Sequence, residues 1–215
     1  MKLKTRFTTR EIALLALFAV VWAAIEINLG FILKMVKLPF AGSLLTFLGL
    51  IVIFLGRNSI PKRGTAILMG VTTAFLKLIY LGGLAIYPII GILVEVILVE
   101  IGLGRNYPKR AQFLAAGALA LLWTFFHPFF TQGLLAGWGI LKVYLLIVNR
   151  GATLIGIQEH QTLLIFAILI VIHLGLGILA GSLSWKLSRI IYRRLNGYQN
   201  HKITINSETK LNIPF

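Results

Sequence analysis

Long apolar runs separated by short polar, glycine- or proline-bearing stretches set the rhythm of this chain, and runs of that length are helices rather than strands. The first covers residues 12–33 and follows Thr8-Thr9-Arg10-Glu11, whose threonine and glutamate fit a capping box. Lys34, Lys37, Pro39 and Gly42 separate it from a second run at 44–55, short but extendable into that connection. Arg57-Asn58-Ser59-Ile60-Pro61-Lys62-Arg63 then forms a breaker-rich basic loop. A third run, 64–81, turns at Gly82-Gly83; a fourth covers 88–103 and ends in Arg105-Asn106-Tyr107-Pro108-Lys109-Arg110. The fifth, 111–126, meets His127-Pro128, which ends regular helix because the residue before proline is pushed out of the helical region. The last clear run, 162–183, continues through 184–195, and Asn196-Gly197 reads as its stop. Residues 129–160 stay open. Their apolar part, 140–148, is too short to cross a bilayer, so it is a re-entrant or interfacial helix, with a seventh span as the alternative.

Charge turns these runs into a topology. Sixteen of the 21 lysines and arginines lie in the N-terminus, the 57–63 loop, the 105–110 loop and the C-terminal region. Those segments share one side of a membrane only if the number of spans is even. The positive-inside rule then gives six spans with both termini in the cytoplasm and 34–43, 82–88 and 129–160 outside. The predicted architecture is an all-α polytopic membrane bundle of about six helices, one domain over residues 1–195 with a loose cytoplasmic tail over 196–215. Lys2, Lys4, Arg6 and Arg10 before an apolar run resemble the start of a signal peptide, but the run continues without a cleavage context and reads as a retained first span.

Composition narrows the function classes. With 58% hydrophobic and 13% charged residues, a soluble domain of this length could not hide its apolar surface. The net charge of +15 does not indicate nucleic acid, because the basic residues flank apolar runs instead of forming a stripe with stacking aromatics. The absence of cysteine and aspartate excludes disulfides, thiolate metal sites, cysteine nucleophiles and metal-holding aspartate pairs. No phosphate-binding loop, His-Glu-x-x-His or Gly-x-Ser-x-Gly pattern occurs, so the expectation is a non-enzyme that does not power transport itself, without cofactor or metal.

Ionisable groups inside apolar runs are costly and therefore candidates for function. Lys77 and Glu95 sit on consecutive antiparallel spans at similar depths, roughly 7–11 Å below the outer surface, either as a structural ion pair or at a ligand pocket. Glu26 either faces the same pocket or answers Lys34, and Glu100, nearer the cytoplasm, is expected to pair with Arg105 or Arg110. Trp123 and His127, four apart beside a helix break, suit a flat heteroaromatic ligand; Tyr80, Tyr87, Trp138 and Tyr144 fit an interfacial belt. His173 reads as a core histidine. Ala19-x-x-x-Ala23, with Ala13 and Ala16 nearby, and the Gly177/Gly181 and Gly133/Gly137 pairs allow close helix approach.

Taken together, the basic start, the stretch Thr9-Arg10-Glu11-Ile12-Ala13-Leu14-Leu15-Ala16-Leu17-Phe18-Ala19 and the stretch Tyr87-Pro88-Ile89-Ile90-Gly91-Ile92-Leu93-Val94-Glu95 resemble the substrate-binding S component of energy-coupling factor transporters, over roughly residues 8–195. The resemblance implies a non-enzymatic subunit of a prokaryotic plasma membrane that captures a vitamin-like micronutrient from outside. It implies work with a transmembrane coupling subunit and two cytoplasmic ATPases. It places the coupling contact at Ala19 and Ala23, with Ala16 as a further candidate. Residues 39–43 become a lid, and Glu95, Trp123, His127 and Trp138 ligand contacts, with Lys77 and Glu26 as further pocket candidates. A thiamine or hydroxymethylpyrimidine-like ligand follows from the look of the fourth span. The alternatives are a membrane scaffold resembling the rod-shape protein MreD and a self-sufficient small permease.

Overall fold

The structure, a computed structural model, describes residues 7–82, 86–104, 108–158 and 161–211, with side chains up to residue 191. The described residues are mostly helical and contain no strand. Helix α1, Thr9–Met35, is α-helical to Ala24, π-helical over Ile25–Leu29 and α-helical again over Gly30–Met35. It is followed by α2 (Ala41–Ser59), α3 (Thr65–Leu81) and α4 (Ile86–Leu103). Helix α5, Arg110–Leu135, turns π-helical over Phe129–Leu135; α6 is Ile140–Ile155 and α7 is Thr162–Leu211.

Helices α1, α2, α4, α5 and the Thr162–Ile191 part of α7 are long and apolar enough to cross a membrane. Helix α3 is equally apolar, and its 17 residues reach about 25 Å. The outward faces match this: Val171 is 67% exposed, Phe75 60% and Leu17 59%, a surface suited to lipid and hostile to water. The chain is a multi-pass helical membrane protein.

Six helices close into a ring in the order α1, α3, α4, α5, α7, α2; α2 closes on α1 and also packs across the ring against α3 and α5. Helix α6 sits outside the ring against α7 and the π segment of α5, held by an apolar cluster around Phe125, Val143, Ile147, Ile165 and Leu169. It is 16 residues long, with a left-handed Gly156 ending it. The ambiguous 129–160 stretch therefore divides: its first residues finish α5, and α6 is a separate helix on the flank.

The basic segments gather at one end. The predicted capping box is present, with the Thr8 amide donating to Glu11 and the Glu11 amide to Thr8 Oγ1. Lys62 Nζ donates to Glu11 Oε2 at 2.6 Å, tying the 57–63 loop to the chain start. Arg63 donates to the Gly104 carbonyl through Nε and Nη2, tying the same loop to the end of α4. Glu100 differs from its expected partners. Its two carboxylate oxygens accept from the Gly64 and Ala66 amides, and Oε1 lies 3.5 Å from Nε of the fully buried Arg57. The free N–H groups and positive dipole end of α3 supply what the acid needs, so Arg110 is not called on. Arg105 lies outside the described residues.

Glycines hold the ring tight where α5 crosses α7. A Cβ on Gly117 would run into the Gly177 carbonyl, and one on Gly181 into the Phe113 carbonyl, so the two backbones touch with no side chain between them. The Gly177/Gly181 spacing thus serves an internal seam. Gly133 and Gly137 instead lie at the end of α5 and in the turn after it, where Gly137 has φ +70°.

Two helix ends differ from the sequence reading. Pro128 ends the α-helical ladder but not the helix: a π segment begins directly after it, absorbing the hydrogen bond that proline cannot donate. Helix α7 runs through Asn196-Gly197 to Leu211. A single glycine lowers helix stability by only ~1 kcal/mol, and no proline follows until Pro214.

Candidate functional site

At the end opposite the basic loops, the ring opens around a cavity of about 250 Å³. The C-terminal ends of α1, α3 and α5 and the N-terminal halves of α2 and α4 frame it. Each contributes a polar side chain to walls otherwise made of apolar residues and glycine. An apolar cavity of ~150 Å³ holds one six-membered ring, so this one is matched to a molecule of one or two small rings.

Glu26 enters from the π segment of α1. An extra residue per turn there rotates the helix face, and Asn28 Nδ2 caps the Ala24 carbonyl at its start. The rotation aims Glu26 at α3, where Lys77 Nζ donates to its Oε2 at 2.5 Å, both side chains 6% exposed. Lys77 therefore pairs with Glu26. The juxtaposition of Lys77 with Glu95 expected from their depths holds only in that both line the cavity.

Glu95, on α4, is 3% exposed. Its Oε2 accepts from Thr46 Oγ1 at 3.1 Å, and Thr124 Oγ1 stands 3.1 Å from Thr46 Oγ1 in turn. Its Oε1 has no hydrogen-bond partner among the described residues. Nor has Trp123 Nε1, buried on the α5 side of the same cavity. One acceptor and one donor, both out of water, thus belong to residues that line one cavity. Leaving such groups unpaired costs about 1–3 kcal/mol each, so a ligand that pairs them relieves part of that cost on binding.

His127 completes the roof. Its Nε2 donates to the Tyr87 carbonyl at 3.1 Å, which leaves Nδ1 as the acceptor of the neutral ring, and its ring stands edge-on to Trp123 at 5.7 Å. Gly91 faces the imidazole closely: a Cβ there would lie 3.1 Å from Nε2, and the ring would have to give by a few tenths of an ångström.

The structure brings Glu26, Lys77, Glu95, Trp123 and His127 together around one cavity, as the sequence reading expected of pocket residues. Trp138 is not among them. It lies in the turn between α5 and α6, its backbone amide bonded to the Gln132 carbonyl and its ring 4.6 Å from Lys142 Nζ. Ala19 and Ala23 face the interior, 0% and 3% exposed, and the Ala19 carbonyl accepts from Thr73 of α3; only Ala16 is exposed. Residues 41–43 are the first turn of α2 instead of a loop, and Ser43 is buried, donating to His173 Nε2. His173 Nδ1 donates to the Leu169 carbonyl, so this histidine is satisfied in the core.

Sequence reasoning missed Thr46 and Thr124, single threonines in apolar runs. Their position four residues from a small or apolar neighbour carries no signal, since such threonines ordinarily bond back to their own helix. It also missed a second, wider space of about 760 Å³ adjoining the cavity across Lys34, Gly42, Thr124 and His127.

No known family model, curated protein or solved structure matches this chain, so its chemistry is read from its own residues. The site offers hydrogen bonds, a buried carboxylate and aromatic edges. Among the described residues there is no group of three or more His, Cys, Asp or Glu that could hold a metal ion.

Proposed function

We propose that this protein is the membrane-embedded substrate-binding subunit of an energy-coupling factor type transporter, not an enzyme, taking a small heteroaromatic micronutrient from outside a prokaryotic cell. The observation that carries the reading is the pair of buried, unpartnered groups, Glu95 Oε1 and Trp123 Nε1, in one cavity of a membrane bundle. A scaffold of the MreD kind gains nothing from two such groups, each of which destabilises the apo fold. The positive-inside rule makes the basic end cytoplasmic, with both termini there, and turns the cavity outward. An acceptor and a donor on residues lining one cavity suit the acceptor and donor groups of an aminopyrimidine, which agrees with the thiamine or hydroxymethylpyrimidine-like class. Uptake then needs a coupling subunit and two ATPases, since the chain has no phosphate-binding loop.

The test is a thermal-shift screen of vitamins and their precursors on the purified chain. At least one compound is expected to stabilise it at about micromolar concentration. Glu95→Gln and Trp123→Ala are expected to weaken that compound about tenfold or more. A panel without a hit, or variants that bind as the parent does, would refute capture of such a ligand.

The coupling contact belongs to the exposed face of α1. Ala16→Trp is expected to prevent co-purification with a coupling subunit while leaving the thermal shift intact. Retained assembly would remove Ala16 from the contact. Ala19→Trp no longer separates the two effects, because Ala19 is packed against α3.

A further inference from the structure

The wider space outside the cavity carries a charge pattern the capture reading does not use. Lys34 at the end of α1, Lys37 in the connection to α2 and Arg150 on α6 all line it, and no carboxylate among the described residues does. Lys34 belongs to both spaces, so the inner cavity opens directly under the cations. Lys37 is held at φ +53°, and Phe40, next along the connection, at φ +56°. Left-handed backbone is unfavourable for both residue types. Phe40 is anchored edge-on against His173 at 5.7 Å, and this fixes the five-residue connection, and Lys37 with it, at the rim. The only acid near Lys34 on its own helix, Glu26, is engaged by Lys77. Three like charges thus converge on one space with no carboxylate among the described residues lining it to balance them, while Glu95, whose Oε1 is unpartnered among the described residues, lies deeper.

We propose that the substrate is bipolar: a hydrogen-bond donating ring edge goes inward to Glu95 and Trp123, and an anionic group, carboxylate or phosphate, stays among Lys34, Lys37 and Arg150. This rests on the capture reading and sharpens it. The bare cation or neutral ring of the thiamine class is then the weaker ligand, and its acidic or phosphorylated counterpart the stronger. The cations also raise the local concentration of anions at the mouth, an effect that salt screens.

Matched pairs test this: thiamine against thiamine monophosphate, pyridoxal against pyridoxal 5′-phosphate, and nicotinamide against nicotinic acid. Binding is measured by calorimetry on the full chain in nanodiscs of zwitterionic lipid. In at least one pair the anionic member is expected to bind about tenfold tighter, the preference falling as salt rises. The triple variant Lys34→Gln, Lys37→Gln, Arg150→Gln is expected to abolish the preference with its melting temperature unchanged, while Glu95→Gln weakens whichever members bind. Binding without preference, or a preference that survives the triple variant, overturns the bipolar substrate and leaves capture standing. Absence of binding by every compound in the wider vitamin panel overturns both. Repeating the melting curves with and without phosphatidylglycerol separates a lipid headgroup from a free anion. If that lipid stabilises the parent but not the triple variant, and no anionic solute is preferred, the cations serve the membrane and the proposal fails.

Discussion

Replacing Lys77 by methionine is expected to destabilise the folded bundle by about 3–5 kcal/mol, the penalty for leaving a buried ion without its partner. Glu26 is 6% exposed, and among the described residues the Lys77 ammonium at 2.5 Å is its hydrogen-bond donor and counterion. Methionine keeps the length of the lysine stem, so the apolar walls of the cavity stay filled and the loss reports on charge. Glu26→Gln is expected to cost a similar amount, because it strands the ammonium instead. The double variant is expected to be more stable than the sum of the two losses predicts, since neither charge then remains alone. Melting temperatures of the four proteins in one detergent check this. A Lys77→Met protein that melts with the parent, or strict additivity in the double variant, contradicts a coupled pair.

Gly177→Leu is expected to be at least as damaging, about 3 kcal/mol or more, and to reduce the yield of folded protein. The new side chain meets the Gly117 carbonyl group and the Ala118 Cα, which are backbone atoms and cannot rotate aside. Helices α5 and α7 must then separate along a seam that also includes Gly181 against Phe113. Gly175, two residues away, supplies the control: a Cβ there meets nothing within 4 Å, and Gly175→Leu is expected to melt like the parent. Equal melting of both variants with the parent would show that the seam is looser than described.

These two sites also show how far the amino-acid pattern could be read. The helices were legible because glycine, proline and basic clusters punctuate the apolar runs, and the boundaries of α3 and α4 fall within two residues of the pattern. Glu26, Lys77, Glu95, Trp123 and His127 were legible as a set, because ionisable and aromatic groups stand out in apolar runs. Which acid Lys77 would choose was not, since depth along two spans leaves Glu95 and Glu26 equivalent. The choice depends on a π segment and on α3 lying between α1 and α4 in the ring, and neither leaves a residue signature. The inner face of α1 was hidden for a related reason. Its outward positions face lipid and its inward ones face other helices, so both are apolar or small, and no periodicity marks Ala19 and Ala23 as interior. Trp138 was misjudged because an aromatic beside a helix end fits a rim as well as a pocket. His127-Pro128 and Asn196-Gly197 show that local breakers predict strain, while the surrounding hydrogen-bond ladder decides whether a helix stops.

The π segment in α1 works as a phase shifter. A regular helix advances about 100° per residue, so one surplus residue between Ile25 and Leu29 turns everything after it by that angle relative to everything before. Upstream, the helix presents Ala19, Trp22 and Ala23 inward; downstream, Lys34 faces the mouth. With the surplus residue gone the two halves would share a single azimuth, and one rod would have to sacrifice either its seat in the ring or its cation at the rim. The insertion lets a single continuous helix obey two separate orientations, one for its seat in the ring and one for its cation at the rim.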